Sequence, residues 1–121
     1  MSLTVLLVED EIDLMLAFRI LLEAAGYNVV EAPTGEDALA MLDTITPDAI
    51  VLDIMLPGID GWTVLDTLRR AGKAPDVPII VTSANATPEQ ERRAKEFGCA
   101  GFFTKPFDAE EFCRDIERLV S

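Results

Sequence analysis

Residues 50 to 61 read IVLDIMLPGIDG, and this stretch decides the fold. Apolar side chains flank Asp53 on both sides, as expected for a strand that is covered on both faces of a sheet. Asp53 itself is a carboxylate in the middle of that run, and burying it without partners would be costly. The rest of the chain must either supply those partners or leave Asp53 as an accident of sequence.

Similar apolar runs recur along the chain and are separated by segments of helical period. The predicted strands cover residues 4–8, 28–31, 49–54, 78–83 and 101–104. The predicted helices cover about residues 11–25, 36–42, 60–70, 87–98 and 108–120. Strict alternation of strands and helices predicts an α/β fold, a parallel sheet with helices on both faces. One domain, residues 1–121, accounts for the whole chain.

Helix ends in this sequence carry recognisable signals. Gly26 is predicted to adopt a left-handed conformation after the first helix, and Gly72 follows the third. Thr87-Pro88-Glu89-Gln90 combines an N-cap, a proline at the first helical position and a capping-box glutamine. Asp108 begins a second box of the same kind before the last helix.

Composition excludes several classes of function. The 121 residues include 22 acidic and 10 basic side chains, and the net charge of -12 argues against direct nucleic-acid binding. The absence of histidine excludes a Ser-His-Asp triad and an H-E-x-x-H zinc site. Without a membrane-length apolar run or a signal-peptide pattern, we expect a soluble, cytoplasmic domain that does not engage membranes. Cys99 and Cys113 are expected to be buried and reduced.

Polar side chains follow the predicted strands, at the edge where open α/β sheets bind ligands. Glu9 and Asp10 follow the first strand, Asp53 lies at the end of the third, Ser83 ends the fourth and Lys105 follows the fifth. If the first and third strands are neighbours, three carboxylates meet there, and they repel one another unless a cation intervenes. An all-oxygen ligand set suits Mg²⁺, and a lysine adds a charge that can face a phosphate oxygen. The alternative is a structural ion pair.

With these residues in place, the chain resembles the receiver domain of bacterial two-component response regulators. The resemblance covers residues 3–120 and rests on four motifs in order: LLVEDE, VLDIMLPGIDG, PIIVTSA and FFTKPF. It implies a CheY-like, flavodoxin-like (βα)5 fold, a doubly wound sheet of five parallel strands in the order 2-1-3-4-5. It also implies a phosphoprotein that works as a signalling switch.

The resemblance assigns the metal and the phosphoryl acceptor. Asp53 resembles the phospho-accepting aspartate of the family. Glu9 and Asp10 resemble the acidic pair that holds Mg²⁺, with Mn²⁺ as an alternative ion, together with Asp53 and the backbone carbonyl of Met55. Many receivers have aspartate where this chain has Glu9, whose longer side chain can act on the metal through water.

The remaining assignments concern the phosphorylated state. Ser83 resembles the hydroxyl that turns toward the phosphoryl group, which the backbone N–H of Ala84 also contacts. Lys105 resembles the lysine that pairs with a phosphoryl oxygen, and its bond to Pro106 is expected to be cis. Phe102 takes the place of the switch aromatic, although it lacks the hydroxyl of the commoner tyrosine.

Two further positions flank the site in this family and affect the lifetime of the phosphoryl group. They are occupied here by Met55 and Asn85. An apolar Met55 side chain cannot orient an attacking water, which predicts slow self-dephosphorylation.

The resemblance also implies partners. Since the chain has no histidine, the phosphoryl group is expected from a separate sensor histidine kinase or histidine phosphotransfer protein, or from acetyl phosphate. The protein is expected to be no enzyme beyond its own phosphorylation and slow dephosphorylation, and to be a monomer or a phosphorylation-dependent dimer. It could stand alone or belong to a longer regulator whose effector is unknown.

Three other functions fit the same residues less well. A receiver-like interaction module that never takes phosphate would normally have lost Asp53, Lys105 or the acidic pair. A flavin or nucleotide site lacks its glycine-rich motif, and a phosphohydrolase with an aspartyl nucleophile would need a cap that this length does not allow.

The first predicted helix is apolar on nearly every face. Leu14, Phe18, Leu21 and Leu22 are predicted to face the core, whereas Leu16 and Ile20 point to the opposite side. Either flanking elements cover this second face or it is a docking surface for a partner.

Overall fold

The structure is a computed structural model that describes residues 3–105 and 108–120. Strands and helices alternate along it as predicted, and their ends differ from the prediction by at most about two residues. The elements are β1 (Thr4–Val8), α1 (Ile12–Ala24), β2 (Asn28–Ala32), α2 (Gly35–Met41), β3 (Ala49–Asp53), α3 (Gly61–Ala71), β4 (Ile79–Ser83), α4 (Pro88–Glu96), β5 (Gly101–Thr104) and α5 (Ala109–Val120).

All pairings in the sheet are parallel, and the strand order is β2-β1-β3-β4-β5. This confirms the flavodoxin-like topology that the resemblance to receiver domains implied. β3 lies at the centre between β1 and β4, and each of its five residues is buried. The continuous apolar run around Asp53 is therefore explained by a strand with helices above and below it.

The sheet separates two apolar layers. On one face α1 and α5 pack together, with Phe112 at 0% exposure between the rings of Phe18 and Phe103, each 5.0 Å away between centroids. On the other face α2, α3 and α4 cover the sheet. The anchoring of these helices is unequal, because α3 buries five residues and α4 buries only Ala94. Successive residues of each strand contribute to opposite layers.

The predicted helix ends are largely confirmed. Gly26 and Gly72 both have positive φ, and the side chain of Thr87 accepts a hydrogen bond from the backbone N–H of Gln90 at 3.1 Å. Asp108 accepts from the N–H groups of Glu110 and Glu111. The prediction that Gln90 completes a capping box is wrong, because its side-chain oxygen accepts instead from the hydroxyl of Ser83.

Gly61 fixes the start of α3 against the end of β3. Its N–H donates to the carbonyl of Ile54 at 3.0 Å, and a Cβ at this position would lie 2.7 Å from the carbonyl oxygen of Asp53. Only glycine permits this approach, because a contact that short with backbone cannot be relieved by rotating a side chain. The strand that carries Asp53 is thereby tied directly to the next helix.

The outer face of α1 is uncovered. Leu16 and Ile20 are 55% and 59% exposed, so the described parts of the chain do not cover them, and Ile12 is 82% exposed. The predicted inner face needs a small correction. Phe18 and Leu22 are buried as expected, whereas Leu14 and Leu21 are only partly buried because Met15 takes the inner position.

The two cysteines are free, and they differ in burial. Cys113 is buried as expected, but Cys99 is only half-buried, because it lies on the short connection between α4 and β5. Burial raises the pKa of the Cys99 thiol to about 11, which keeps it protonated and unreactive near neutral pH. Among the described residues, none of the helices is both long and apolar enough to cross a bilayer.

Candidate functional site

The residues singled out in the sequence meet at the carboxyl edge of the sheet. Asp53 is the last residue of β3, Glu9 follows β1 directly, and both are only 2% exposed. Lys105 follows β5, and its backbone N–H donates to the carbonyl of Ser83 at 2.8 Å. Because parallel strands end at the same edge, residues far apart in sequence are brought to one place.

Lys105 is the partner that the buried carboxylate of Asp53 requires. Its Nζ lies 3.2 Å from Oδ2 of Asp53 and 2.9 Å from Oε2 of Glu9, and a third carboxylate oxygen, Oε2 of Glu11, lies 3.9 Å away. The lysine side chain is itself 14% exposed. One ammonium group therefore bridges two buried carboxylates, and the pairing offsets part of the cost of burying their charges.

Backbone N–H groups hold the second oxygen of each buried carboxylate. The N–H of Met55 donates to Oδ1 of Asp53 at 3.0 Å, and the N–H of Glu11 donates to Oε1 of Glu9 at 3.2 Å. Both side chains are thus held at two oxygens and cannot rotate freely. A fixed carboxylate can be aimed at a ligand without a further loss of side-chain entropy.

Glu9, Asp10 and Asp53 form a group that could hold a metal ion. One carboxylate oxygen from each lies within 4.8 Å of the others, and Asp10 is exposed where the other two are buried. Three hard oxygen donors, one of them open to solvent, fit a small divalent cation that keeps several of its waters. The chemistry of the donor set thus agrees with the ion predicted from the sequence.

Burial and neighbouring charges shift the pKa values of Glu9 and Lys105. Desolvation raises the pKa of Glu9 to about 7, the hydrogen bond from Lys105 acts in the opposite direction, and the charge of Asp53 adds to the rise. Burial alone would lower the pKa of Lys105. The hydrogen bond to Glu9 and the charge of Asp53 outweigh it, so that pKa is raised.

Ser83 lies beside this group, on the side of the sheet that α4 covers. Its hydroxyl is fully buried and donates to Oε1 of Gln90 at 3.0 Å, while it accepts from the N–H of Asn85 at 3.2 Å. Gln90 was not predicted as part of the site. Its sequence context pointed to a helix cap, and only the folded arrangement shows its contact with Ser83.

The other predicted positions surround the site. Ala84, Asn85 and Met55 are exposed at its rim, and the Met55 side chain is 60% exposed. Phe102 is half-buried and packs in the layer beneath α3 and α4, because it pairs in register with Val81. The predicted cis bond between residues 105 and 106 lies outside the described residues.

The model of the response regulator receiver domain family matches residues 5–117, nearly the whole chain. The chain belongs to this family. Among solved structures, the receiver domain is similar to the chemotaxis protein CheY4 of Vibrio cholerae, with 28% identity, a TM-score of 0.90 and coverage of 98% of this chain and 99% of that one. It also resembles the receiver domain of a sensor histidine kinase from Pseudomonas aeruginosa, with 28% identity, a TM-score of 0.87 and coverage of 99% and 98%. A magnesium ion is coordinated in the active-site cleft of that structure.

Curated relatives of this receiver domain are of two kinds. It is 34% identical over 116 residues to the DNA-binding transcriptional regulator RpaA of Synechocystis, covering 96% of this chain and 48% of that protein. It is 32% identical over 120 residues to the polar-differentiation response regulator DivK of Brucella ovis, covering 99% of this chain and 98% of DivK. The chain spans about half the length of the first curated relatives it matches and nearly all of DivK.

Proposed function

We propose that this receiver domain is a phospho-accepting switch of a two-component or phosphorelay system, in which Asp53 takes the phosphoryl group from a histidine kinase or phosphotransfer protein. The observation that carries the proposal is the buried Asp53 carboxylate, paired with Lys105 and grouped with Glu9 and Asp10 at the sheet edge. Membership of the family supports the same role.

Phosphoryl transfer would begin with an oxygen of Asp53 attacking phosphorus. As the new P–O bond forms, the bond from phosphorus to the donor breaks, and its electron pair leaves with the donor nitrogen or with acetate. An acyl phosphate on Asp53 results. The ammonium of Lys105, already 3.2 Å from Oδ2, offsets the repulsion between the carboxylate and the incoming anion. Mg²⁺, held by Glu9, Asp10, Asp53 and the carbonyl of Met55, would supply the remaining positive charge.

A local rearrangement would follow phosphorylation. The new phosphoryl oxygens accept hydrogen bonds strongly, so the Ser83 hydroxyl would turn toward them, with the N–H of Ala84 as a second donor. Phe102, on the same side of the sheet as Ser83, would fill the space that the hydroxyl leaves. A charge added at Asp53 would thus change the surface around Phe102.

The acyl phosphate would decay slowly, because Met55, at the rim of the site, has an apolar side chain. Met55 cannot hold a water for attack. In Met55→Asn, the side-chain amide can orient this water through a hydrogen bond worth about 1 kcal/mol. Dephosphorylation should therefore become about fivefold faster. Decay would be followed by intact mass after removal of the phosphodonor. Met55→Leu is the apolar control and should decay like the wild type, and equal rates in all three would contradict the prediction.

Metal affinity should depend on pH through Glu9. A carboxylate must lose its proton to bind a cation, and the Glu9 pKa of about 7 places this change near neutrality. The ionised fraction of Glu9 rises about tenfold between pH 6 and pH 8, so the affinity for Mg²⁺ should rise by about that factor. Calorimetric titration at several pH values measures it. Glu9→Gln should bind more weakly and with a much flatter pH profile, whereas an equally steep profile would contradict the role of Glu9.

The exposed face of α1 is the proposed docking surface for the phosphodonor protein. Ile12, Leu16 and Ile20 are spaced by four residues, and the exposed Met55 lies at the rim of the phosphorylation site. Apolar patches that solvent would otherwise surround are typical of protein interfaces. A donor protein docked on this face would cover the apolar patch and bring its phosphorylated histidine close to Asp53.

Intact mass after incubation with acetyl phosphate and Mg²⁺ tests the proposed function. One added phosphoryl group that disappears when EDTA removes the metal is the expected result. No added mass, together with no binding of beryllofluoride, a phosphoryl mimic, would instead favour an interaction module that works without phosphorylation.

A further inference from the structure

We propose that Gln90 is a positioning residue that holds the Ser83 hydroxyl away from Asp53 and thereby sets how readily the domain switches. The inference rests on the proposed function, since the switch is the response to phosphorylation of Asp53. It assigns a role to a side chain that the sequence pattern placed in a helix cap.

The geometry of the unphosphorylated domain supports this role. The buried Ser83 hydroxyl donates to Oε1 of Gln90 at 3.0 Å and accepts from the N–H of Asn85 at 3.2 Å. Alternation along β4 places Ser83 on the same side of the sheet as Val81, which packs in the layer with Ala94 of α4. Ser83 therefore points toward α4, where Gln90 is half-buried in the first turn.

A serine hydroxyl has a single proton to donate, and this makes the two states exclusive. While Ser83 donates to Gln90, it cannot donate to a phosphoryl oxygen on Asp53. When it turns to the phosphoryl group, the oxygen of Gln90 loses its donor. The hydrogen bond to Gln90 thus stabilises the unphosphorylated arrangement alone, and a contact made in one state alone shifts the equilibrium between the two.

The same contact links Ser83 directly to α4. Gln90 lies in the first turn of α4, where its backbone N–H donates to the side chain of the N-cap Thr87, and its side-chain oxygen joins that turn to Ser83. One turn further along, the guanidinium of Arg93 lies 4.6 Å from the ring centroid of Trp62 on α3. Trp62 is the one tryptophan in the sequence, so its fluorescence reports on how α4 packs against α3.

The test is a titration of the full chain with beryllofluoride in the presence of Mg²⁺, followed by Trp62 fluorescence. Gln90→Met keeps the size of the side chain and removes the oxygen that accepts from Ser83. Loss of a hydrogen bond that favours only the unbound state should tighten beryllofluoride binding about fivefold. Gln90→Ala should also tighten beryllofluoride binding, and it serves as a second variant in case methionine packs poorly at this position.

Matched variants separate this role from a structural one. Gln90→Glu retains an acceptor oxygen and should bind no more tightly than the wild type. Arg92→Met, an exposed position of the same helix, should bind as the wild type does. In a Ser83→Ala background, Gln90→Met should have no further effect, because no hydroxyl remains to be held.

Each outcome decides the inference. Unchanged or weaker binding in both Gln90→Met and Gln90→Ala would overturn it, as would tightening that persists without the Ser83 hydroxyl. Damage to folding would weaken binding and lower the melting temperature, which is opposite to the expected change. If the wild type itself fails to bind beryllofluoride, the proposed function fails, and the wild-type titration shows this separately from the comparison of Gln90 variants.

Discussion

Asp53→Asn is expected to gain no phosphoryl group from acetyl phosphate and Mg²⁺, whereas the wild type gains one. The amide nitrogen and oxygen of asparagine are poor nucleophiles, so the P–O bond to residue 53 cannot form. The replacement keeps the size of the side chain, and an amide oxygen can still accept from the N–H of Met55. Lys105 retains its contact with Glu9 at 2.9 Å, so the site should stay folded.

Intact mass before and after incubation measures this effect, with thermal melting as the check on folding. Asp76→Asn is the matched control, because it makes the same chemical change at an exposed loop position, and it should be phosphorylated like the wild type. A folded Asp53→Asn protein that still gains a phosphoryl group would show that a different side chain is the acceptor.

The largest loss of stability is expected for Phe112→Ala in α5. The ring is 0% exposed and lies 5.0 Å from those of Phe18 and Phe103, so its removal leaves a cavity between α1, α5 and the sheet. Truncation of a buried phenylalanine costs about 3–5 kcal/mol of unfolding free energy. That is a large part of the stability of a domain of this size.

Urea unfolding monitored by circular dichroism gives the value. Leu16→Ala, on the outer face of α1, is the control, since Leu16 is 55% exposed, and a largely exposed position should lose at most about 1 kcal/mol. Equal losses for the two variants would mean that the aromatic contacts of Phe112 contribute little beyond those of an ordinary surface residue.

Much of the fold could be predicted because its signals are local. The apolar run around Asp53 requires a strand covered on both faces, and glycines such as Gly26 and Gly72 mark helix ends through backbone conformations that other residues avoid. The inner face of α1 was predicted less well. Helical period alone does not distinguish Leu14 from Met15, since they precede the buried Phe18 by four and three residues and both spacings fall on the same helical face.

In the candidate site, too, the local features could be predicted and the contacts between distant residues could not. The positions of Glu9, Asp53 and Lys105 follow from strand ends that must meet at one edge. The contacts among these residues do not follow from the strand ends, because the bridge from Lys105 to both carboxylates depends on side-chain conformations set by the whole fold. Gln90 shows the difference most clearly. The cap rule considers only neighbours in sequence, whereas its side chain bonds to Ser83 on the adjacent strand.

The weak anchoring of α4 has a consequence for how such domains diversify. A helix with Ala94 as its one buried residue contributes little to the core, so most of its positions can mutate without loss of the fold. The sheet edge that carries Asp53 has no such freedom, as the close packing of Gly61 shows. Residues on the outer surface of α4 can therefore change to suit new partners while the residues around Asp53 stay the same.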